Sequence, residues 1–308
     1  MELSEQEWRA REDAHVSRMR AWTEPHQRRR SRGEKHPVLD FLFTYYSHPP
    51  AHLERWQPGP GVVLGGQAAR RFLDRKGYQE VAGGVALDPR GFTERQARSA
   101  RSTLALLEAT ASRTPRLGCF GLHEWAMVYR QDPAGLRHAQ LPLRLGAAGT
   151  DAVVDSLGVR CGHYDAFRFF TEPARPLNEF QPTRQTQRDL DQPGCLHVGM
   201  DLYKWCYKLV SFVPSELLGD CFELAADIRL LDMRASPYDL SALGHSPVRI
   251  ETAAGRAEYV RAQAAFARRA EPLRARLIQH YRRLLSETSV GQTRRAHVTS
   301  VAGPRLLE

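Results

Sequence analysis

Pro193-Gly-Cys-Leu-His-Val-Gly-Met-Asp-Leu-Tyr-Lys-Trp-Cys-Tyr-Lys-Leu209 is the stretch on which the reading of the fold turns. Pro193-Gly194 marks a turn, and the residues after it follow a 3.6-residue repeat into a helix. Leu202, Trp205, Cys206 and Leu209 make its apolar side. His197, Asp201, Lys204 and Lys208 recur at i, i+4, i+7 and i+11, so they stack along a second face. That stripe, set among Met200, Tyr203, Trp205 and Tyr207, has two readings. It is either the wet face of an amphipathic helix, closed by an Asp201–Lys204 pair, or a functional face. Buried charge is costly unless it is paired or used.

Working outward, Pro214-Ser215 separates this helix from a second one over Glu216–Arg234, with Ser215 as its N-cap. The short link predicts an antiparallel helix hairpin. Glu216, Asp220, Glu223 and Asp227 form an acidic stripe on the second helix. Like charges at that spacing repel by a few tenths of a kcal/mol per pair, roughly, so a structural ion-pair network with Lys204, Lys208 or arginines elsewhere is expected. No Glu-x-x-His accompanies the stripe, which argues against a carboxylate metal site on it.

Further helices are predicted over residues 4–32, Gln67–Arg75, Leu117–Tyr129, Thr183–Leu190 and Ala253–Leu285. Thr93-Glu-Arg-Gln96 is a capping box opening a helix to about Ser112. Ser236-Pro-Tyr-Asp239 has the cap, proline and acid of another helix start. Val153–Val159 reads as a strand, and short strand-like pieces fall between Val62 and Leu87. The fold class is therefore mostly α, a single helical domain with minor irregular or short β pieces. Residues 1–35 read as a polar, basic N-terminal helix or arm, 36–288 as an α-rich core, and 289–308 as a flexible tail.

At 308 residues and 42% hydrophobic content the chain can bury a large core. No run of eighteen apolar residues occurs and no secretory signal opens the chain, so no membrane partner and a cytoplasmic location are expected. The five cysteines sit in apolar segments without a Cys-x-x-Cys, which favours reduced, buried thiols over disulfides or a thiolate zinc site. Net charge is +9, and 40 of the 44 basic residues are arginine, since Lys35, Lys76, Lys204 and Lys208 are the only lysines. Such an excess draws a protein toward phosphate or anionic substrates. Arg28, Arg29, Arg30, Arg32 and Lys35 are either a solvated face or a phosphate-binding arm.

Three aromatic-rich segments each pair a histidine with a carboxylate: His123 with Glu124, His163 with Asp165, and His197 with Asp201. If they converge, the cavity suits either a nitrogen/oxygen metal site, with His123, His163, His197 and Glu124 as ligands, or metal-free acid–base work. The blander alternative is three separate, hydrogen-bonded core histidines. Trp125, Tyr164, Tyr203 and Trp205 flank these segments; they are core, or they line a pocket for a planar or cationic ring.

The strings Glu34-Lys-His-Pro-Val-Leu-Asp-Phe-Leu-Phe-Thr-Tyr-Tyr46, Gly121-Leu-His-Glu-Trp-Ala-Met-Val-Tyr129, Gly194-Cys-Leu-His197, Met200-Asp-Leu-Tyr-Lys-Trp205 and Leu231-Asp-Met-Arg-Ala-Ser-Pro-Tyr-Asp-Leu240 resemble a bacterial family found notably in actinobacteria and commonly labelled 3-methyladenine DNA glycosylase. The resemblance spans nearly the whole chain and brings no assigned catalytic set with it. It implies excision of alkylated purines from duplex DNA, with no cofactor. Under that implication Asp201 or Asp165 orients water, His197 and Lys204 assist, Trp125, Tyr164, Tyr203 and Trp205 receive the flipped base, and the Arg28–Arg32 run with Lys35 holds phosphates. Two alternatives stay open: a metal-dependent α-helical enzyme using the His/carboxylate cluster, and a non-catalytic basic protein that binds nucleic acid.

Overall fold

The structure is a computed structural model describing residues 1–136 and 138–300. In chain order the helices are α1 (Glu5–Ser31), α2 (Phe41–Tyr45), α3 (Pro50–Glu54), α4 (Glu94–Ala111), α5 (Leu122–Ala126), α6 (Gly146–Leu157), α7 (Tyr164–Phe167), α8 (Gln187–Leu190), α9 (Leu196–Tyr207), α10 (Ser215–Arg234) and α11 (Ala253–Ser300). Short strands β1 (Glu2–Leu3), β2 (Val63–Leu64), β3 (Tyr78–Val81) and β4 (Gly84–Leu87) make one small sheet in the order β1-β2-β4-β3. The protein is mostly α.

The hairpin of α9 and α10 is the centre of the molecule. Leu196, Met200, Leu202, Tyr203 and Cys206 of α9 are buried against Leu218, Phe222, Ala225 and Ile228 of α10. Gly199 lets the two axes approach, since a β-carbon there would sit 3.0 Å from Ile228 Cδ1. A helix buried on nearly every side, as α9 is, must place its polar residues against partners rather than water. α11 covers the hairpin on one side together with α4, and Tyr281 on α11 donates to the Trp205 carbonyl at 2.8 Å.

α1 starts at a capping box in which Ser4 and Glu7 exchange hydrogen bonds. It is a packed element rather than an arm, because Trp8, His15, Met19, Thr23 and His26 are buried and Trp8 Nε1 donates to Gly65 O at 2.9 Å. Its arginines meet the acidic stripe of α10: Arg11 pairs with Glu216 at 2.7 Å, and Arg18 with Asp220 at 2.9 Å and Glu223 at 2.6 Å. Arg269 and Arg276 of α11 take Asp227 and Asp220. The stripe is thus a structural network, and Lys204 and Lys208 do not belong to it.

Several expectations need correcting. Val153–Val159 is not a strand: Thr150, Val153 and Val154 form the buried face of α6. The helix expected over Leu117–Tyr129 shrinks to α5, because Phe120 and Gly121 take φ of 46° and 71° and break the ladder before it. Ser215 is the first helical residue rather than the cap, and its hydroxyl accepts from Gln57 N at 2.9 Å instead. No helix starts at Ser236, whose hydroxyl turns back to the Met233 carbonyl while Tyr238 bridges Leu143. α11 runs on to Ser300, through most of the tail expected over 289–308. The rest of the expected tail, 301–308, lies outside the described residues.

Candidate functional site

Three loop-to-helix junctions carry the histidines to one place. His123 follows the left-handed Phe120-Gly121 turn into α5. Gly121 is needed there for space as well as φ, since a β-carbon would lie 3.3 Å from the Tyr259 ring. His163 caps α7 after a segment pinned by Asn178, which accepts from Cys161 N at 2.7 Å and donates to Cys161 O at 2.9 Å. His197 lies in the first turn of α9, behind the Pro193-Gly194 turn. Gln192 locks that turn by accepting from Arg116 N at 2.8 Å and Gly194 N at 2.7 Å.

The three rings converge. His197 sits between the others, its ring centroid 4.4 Å from His123 at an edge-on 80° and 5.1 Å from His163 in a stacked arrangement. Asp232, near the end of α10, completes the group: its Oδ1 lies 2.8 Å from His123 Nε2. The two make a buried His–Asp ion pair, though neither atom completes a well-directed hydrogen bond among the described residues. One donor atom each from His123, His197 and Asp232 fits within 4.8 Å of the others.

The remaining Asp232 oxygen accepts from Arg229 Nη1 at 3.1 Å, and Arg229 donates to Glu124 at 2.7 Å with its guanidinium over the Phe41 ring. Glu124, expected among the ligands, therefore stands one layer out. Successive residues on a helix point about 100° apart, so His123 and Glu124 face different partners. Burial alone would raise the Glu124 carboxyl, but Arg229 outweighs it and holds it at about 2. Burial likewise opposes charge on His123, and Asp232 reverses the balance. Burial and the neighbouring His123 drive His197 well below the ordinary histidine range, which keeps its ring neutral.

Beside this group lies a second one. Lys204 Nζ bridges Asp201 at 2.9 Å and Asp165 at 2.8 Å, His163 Nε2 faces Asp201 Oδ2 at 3.4 Å, and Tyr46 donates to Asp201 Oδ1 at 3.1 Å. Burial pushes the Asp201 carboxyl up, but Lys204 and His163 outweigh that and keep it far below the usual carboxylate range. Lys204 is held charged in the same way, against its burial. Asp201, Asp165 and Lys204 are thus spent on one another, and none has a free edge for substrate comparable to that of the histidines.

A cavity of about 370 Å³ opens on all three histidines. Asp191 lines it, buried, with Oδ1 lacking any partner; burial pushes its carboxyl up to about 6. Cys119, Cys161 and Cys195 also line it, and burial raises each thiol (Cys161 to about 12), so they are not thiolates. Arg116 and Arg160 stand in its wall, with Arg116 over the Phe180 ring.

The expected aromatic pocket does not form. Trp125 is fully buried and donates to Ala235 O at 2.8 Å, and Tyr203 is packed edge-on against Tyr46 and Phe222. Trp205 lies under Lys204 and Lys208, and Tyr164 under Arg184. None of the four lines the histidine cavity. Of the basic run, Arg28, Arg30, Arg32 and Lys35 are exposed, whereas Arg29 is bound to Asp40 at 2.5 Å. Sequence reading missed Asp232, Arg229 and Asp191. The available signal was an acid and an arginine at i, i+3 inside the apolar run Ile228–Met233, where a lone charge needs a partner.

No family model, no curated protein and no solved structure matches this chain. Among the described residues no helix is long and apolar enough to cross a membrane.

Proposed function

We propose that the chain is a metal-dependent enzyme in which His123, His197 and Asp232 hold a divalent transition-metal ion at the wall of the histidine cavity. The observation that carries this reading is the convergence of one donor atom each from buried His123, His197 and Asp232 within 4.8 Å, with the 2.8 Å His123 Nε2–Asp232 Oδ1 pair lacking a well-directed hydrogen bond. Two donor atoms bound at about 2.1 Å to one ion, at right angles, sit roughly 3 Å apart. Two imidazoles and a carboxylate form a nitrogen/oxygen set suited to zinc or iron(II), with positions left for substrate. Arg229 holds the other Asp232 oxygen and is itself held by Glu124, the outer layer that orients a ligating carboxylate.

An ion in this place supplies Lewis-acid polarisation of a substrate oxygen and makes water more acidic. The chain's own residues supply the rest. His163, oriented through Nε2 by Asp201, keeps Nδ1 without a hydrogen-bond partner among the described residues and is the group placed to exchange a proton. Arg116 favours a small substrate with an anionic group, whereas Arg160 is paired with Glu179 of the same wall at 3.0 Å. Hydrolysis is the reaction class this combination fits best. Elemental analysis of protein purified without added metal tests the reading: zinc or iron near one equivalent per chain is expected. Protein free of metal, and unable to take up zinc or iron(II) on titration, would end it.

The base-excision reading implied by the resemblance has one supporting observation, the exposed cations Arg28, Arg30, Arg32 and Lys35 at one helix end. It predicts release of methylated purines from alkylated duplex DNA, measured by chromatography against untreated DNA. Absence of release beside an active control glycosylase would remove it.

A further inference from the structure

A second cavity, of about 500 Å³, lies between α11 and the loops at 113–117 and 193. Its walls are largely apolar, from Ala111, Pro115, Leu117, Pro193, Ala264 and Ala267, but three arginines, Arg113, Arg268 and Arg274, and one acid, Glu271, also reach it. Arg274 is the unusual member. It is 2% exposed, and its Nε and Nη2 are buried without any hydrogen-bond partner among the described residues. These two nitrogens make the side edge of the guanidinium, the parallel pair of N–H groups that grips a carboxylate or phosphate bidentately. A guanidinium does not shed its proton in a protein, so the fixed charge has to be met by an anion. Glu271, one turn earlier on α11, lies within electrostatic reach, but it is exposed and bonds to neither nitrogen.

We infer that this cavity is a binding site for an organic carboxylate with an apolar body, its carboxylate meeting the Arg274 guanidinium, whose closed Nε/Nη2 edge turns toward the cavity to take it, and its body laid along the alanine and proline wall. The apolar lining favours a fatty or aromatic acid over a bare inorganic anion, which keeps its strong hydration. The site also adjoins the histidine cavity. Leu117 lines both, and Arg113 donates to the Asp191 carbonyl at 2.9 Å, so ligand seated against Arg113 bears on the segment that carries Asp191. The inference does not depend on the metal reading, because none of the proposed metal ligands lines this cavity.

Calorimetric titration of the full chain with octanoate, benzoate and inorganic phosphate, each in turn, tests it. Octanoate or benzoate should bind saturably, with Arg274→Gln weakening the affinity at least tenfold and Arg274→Lys falling between. In wild-type protein the Arg274 Nε–H resonance should move with the same saturation curve, which keeps the test valid if a variant fails to fold. Binding of phosphate alone, carboxylate binding unchanged in folded Arg274→Gln, or a stationary Arg274 resonance would each overturn the assignment.

Discussion

His123 Nε2 and Asp232 Oδ1 approach to 2.8 Å from two different helices, and neither is directed at the other as a hydrogen bond requires. Atoms so placed either pair as imidazolium and carboxylate or share a third partner. If that partner is an ion, removing it withdraws free energy from the folded state only. A ligand present at a hundred times its Kd adds about 2.7 kcal/mol of stability. A chelator should therefore lower the melting temperature by about 4 °C at this chain length, and the effect should disappear in Asp232→Ala. Scanning calorimetry of the two proteins, with and without chelator, reads it directly. Identical responses in both would count against the site.

Asp191 predicts an unusual pH dependence. Its folded carboxyl titrates at about 6 against an ordinary 3.8, so the folded state favours the neutral form. Stability is then fully present below the unfolded value, falls as pH rises from about 4 to 6, and stays lower above that. The shift corresponds to about 3 kcal/mol at most. Asp191→Asn should melt higher than wild type at pH 7.5, with the gap closing by pH 4. A variant that melts lower at both pH values would show that the carboxylate is paired after all.

Asp201 is held by Lys204, His163 and Tyr46 together. Replacing it with asparagine removes the charge but leaves Lys204 buried beside Asp165 alone. Breaking one side of a buried pair costs about 3–5 kcal/mol, so Asp201→Asn should lose stability on that order in urea unfolding. An unaltered unfolding midpoint would mean that Asp201 is free for chemistry, as the resemblance implies.

Two arginines on opposite sides of α10 offer a contrast. Arg18 serves the partly exposed acidic stripe, where ion pairs contribute about 0–1 kcal/mol. Arg229 is 1% exposed and holds Glu124 and Asp232, which its loss would leave buried and unpaired. Arg18→Met should change stability by less than about 1 kcal/mol, and Arg229→Met should cost about 3–5 kcal/mol. Equal losses in chemical denaturation would contradict this account of where the charge network matters.

What the sequence determined by itself is the part set by neighbours along the chain. The Thr93–Gln96 capping box forms with both of its hydrogen bonds, because its atoms lie three residues apart whatever else happens. The apolar spacing of α9 and α10 likewise demanded a helix hairpin, and the acidic stripe demanded positive partners. Tertiary structure decided who those partners are. Arginines from α1 and α11 reach the stripe, which frees Lys204 to bind Asp165, a residue 39 positions away. It also decided against local preference: the valines of α6 face a core that a helix can fill, and Ser236 satisfies Met233 instead of opening a helix. The same holds at the candidate site. The histidines were visible as types, but that His123 meets Asp232 rather than the adjacent Glu124 follows from which residues of α10 the side chains of α5 reach, since side-chain direction on a helix turns by about 100° per residue and only packing fixes which direction finds a partner.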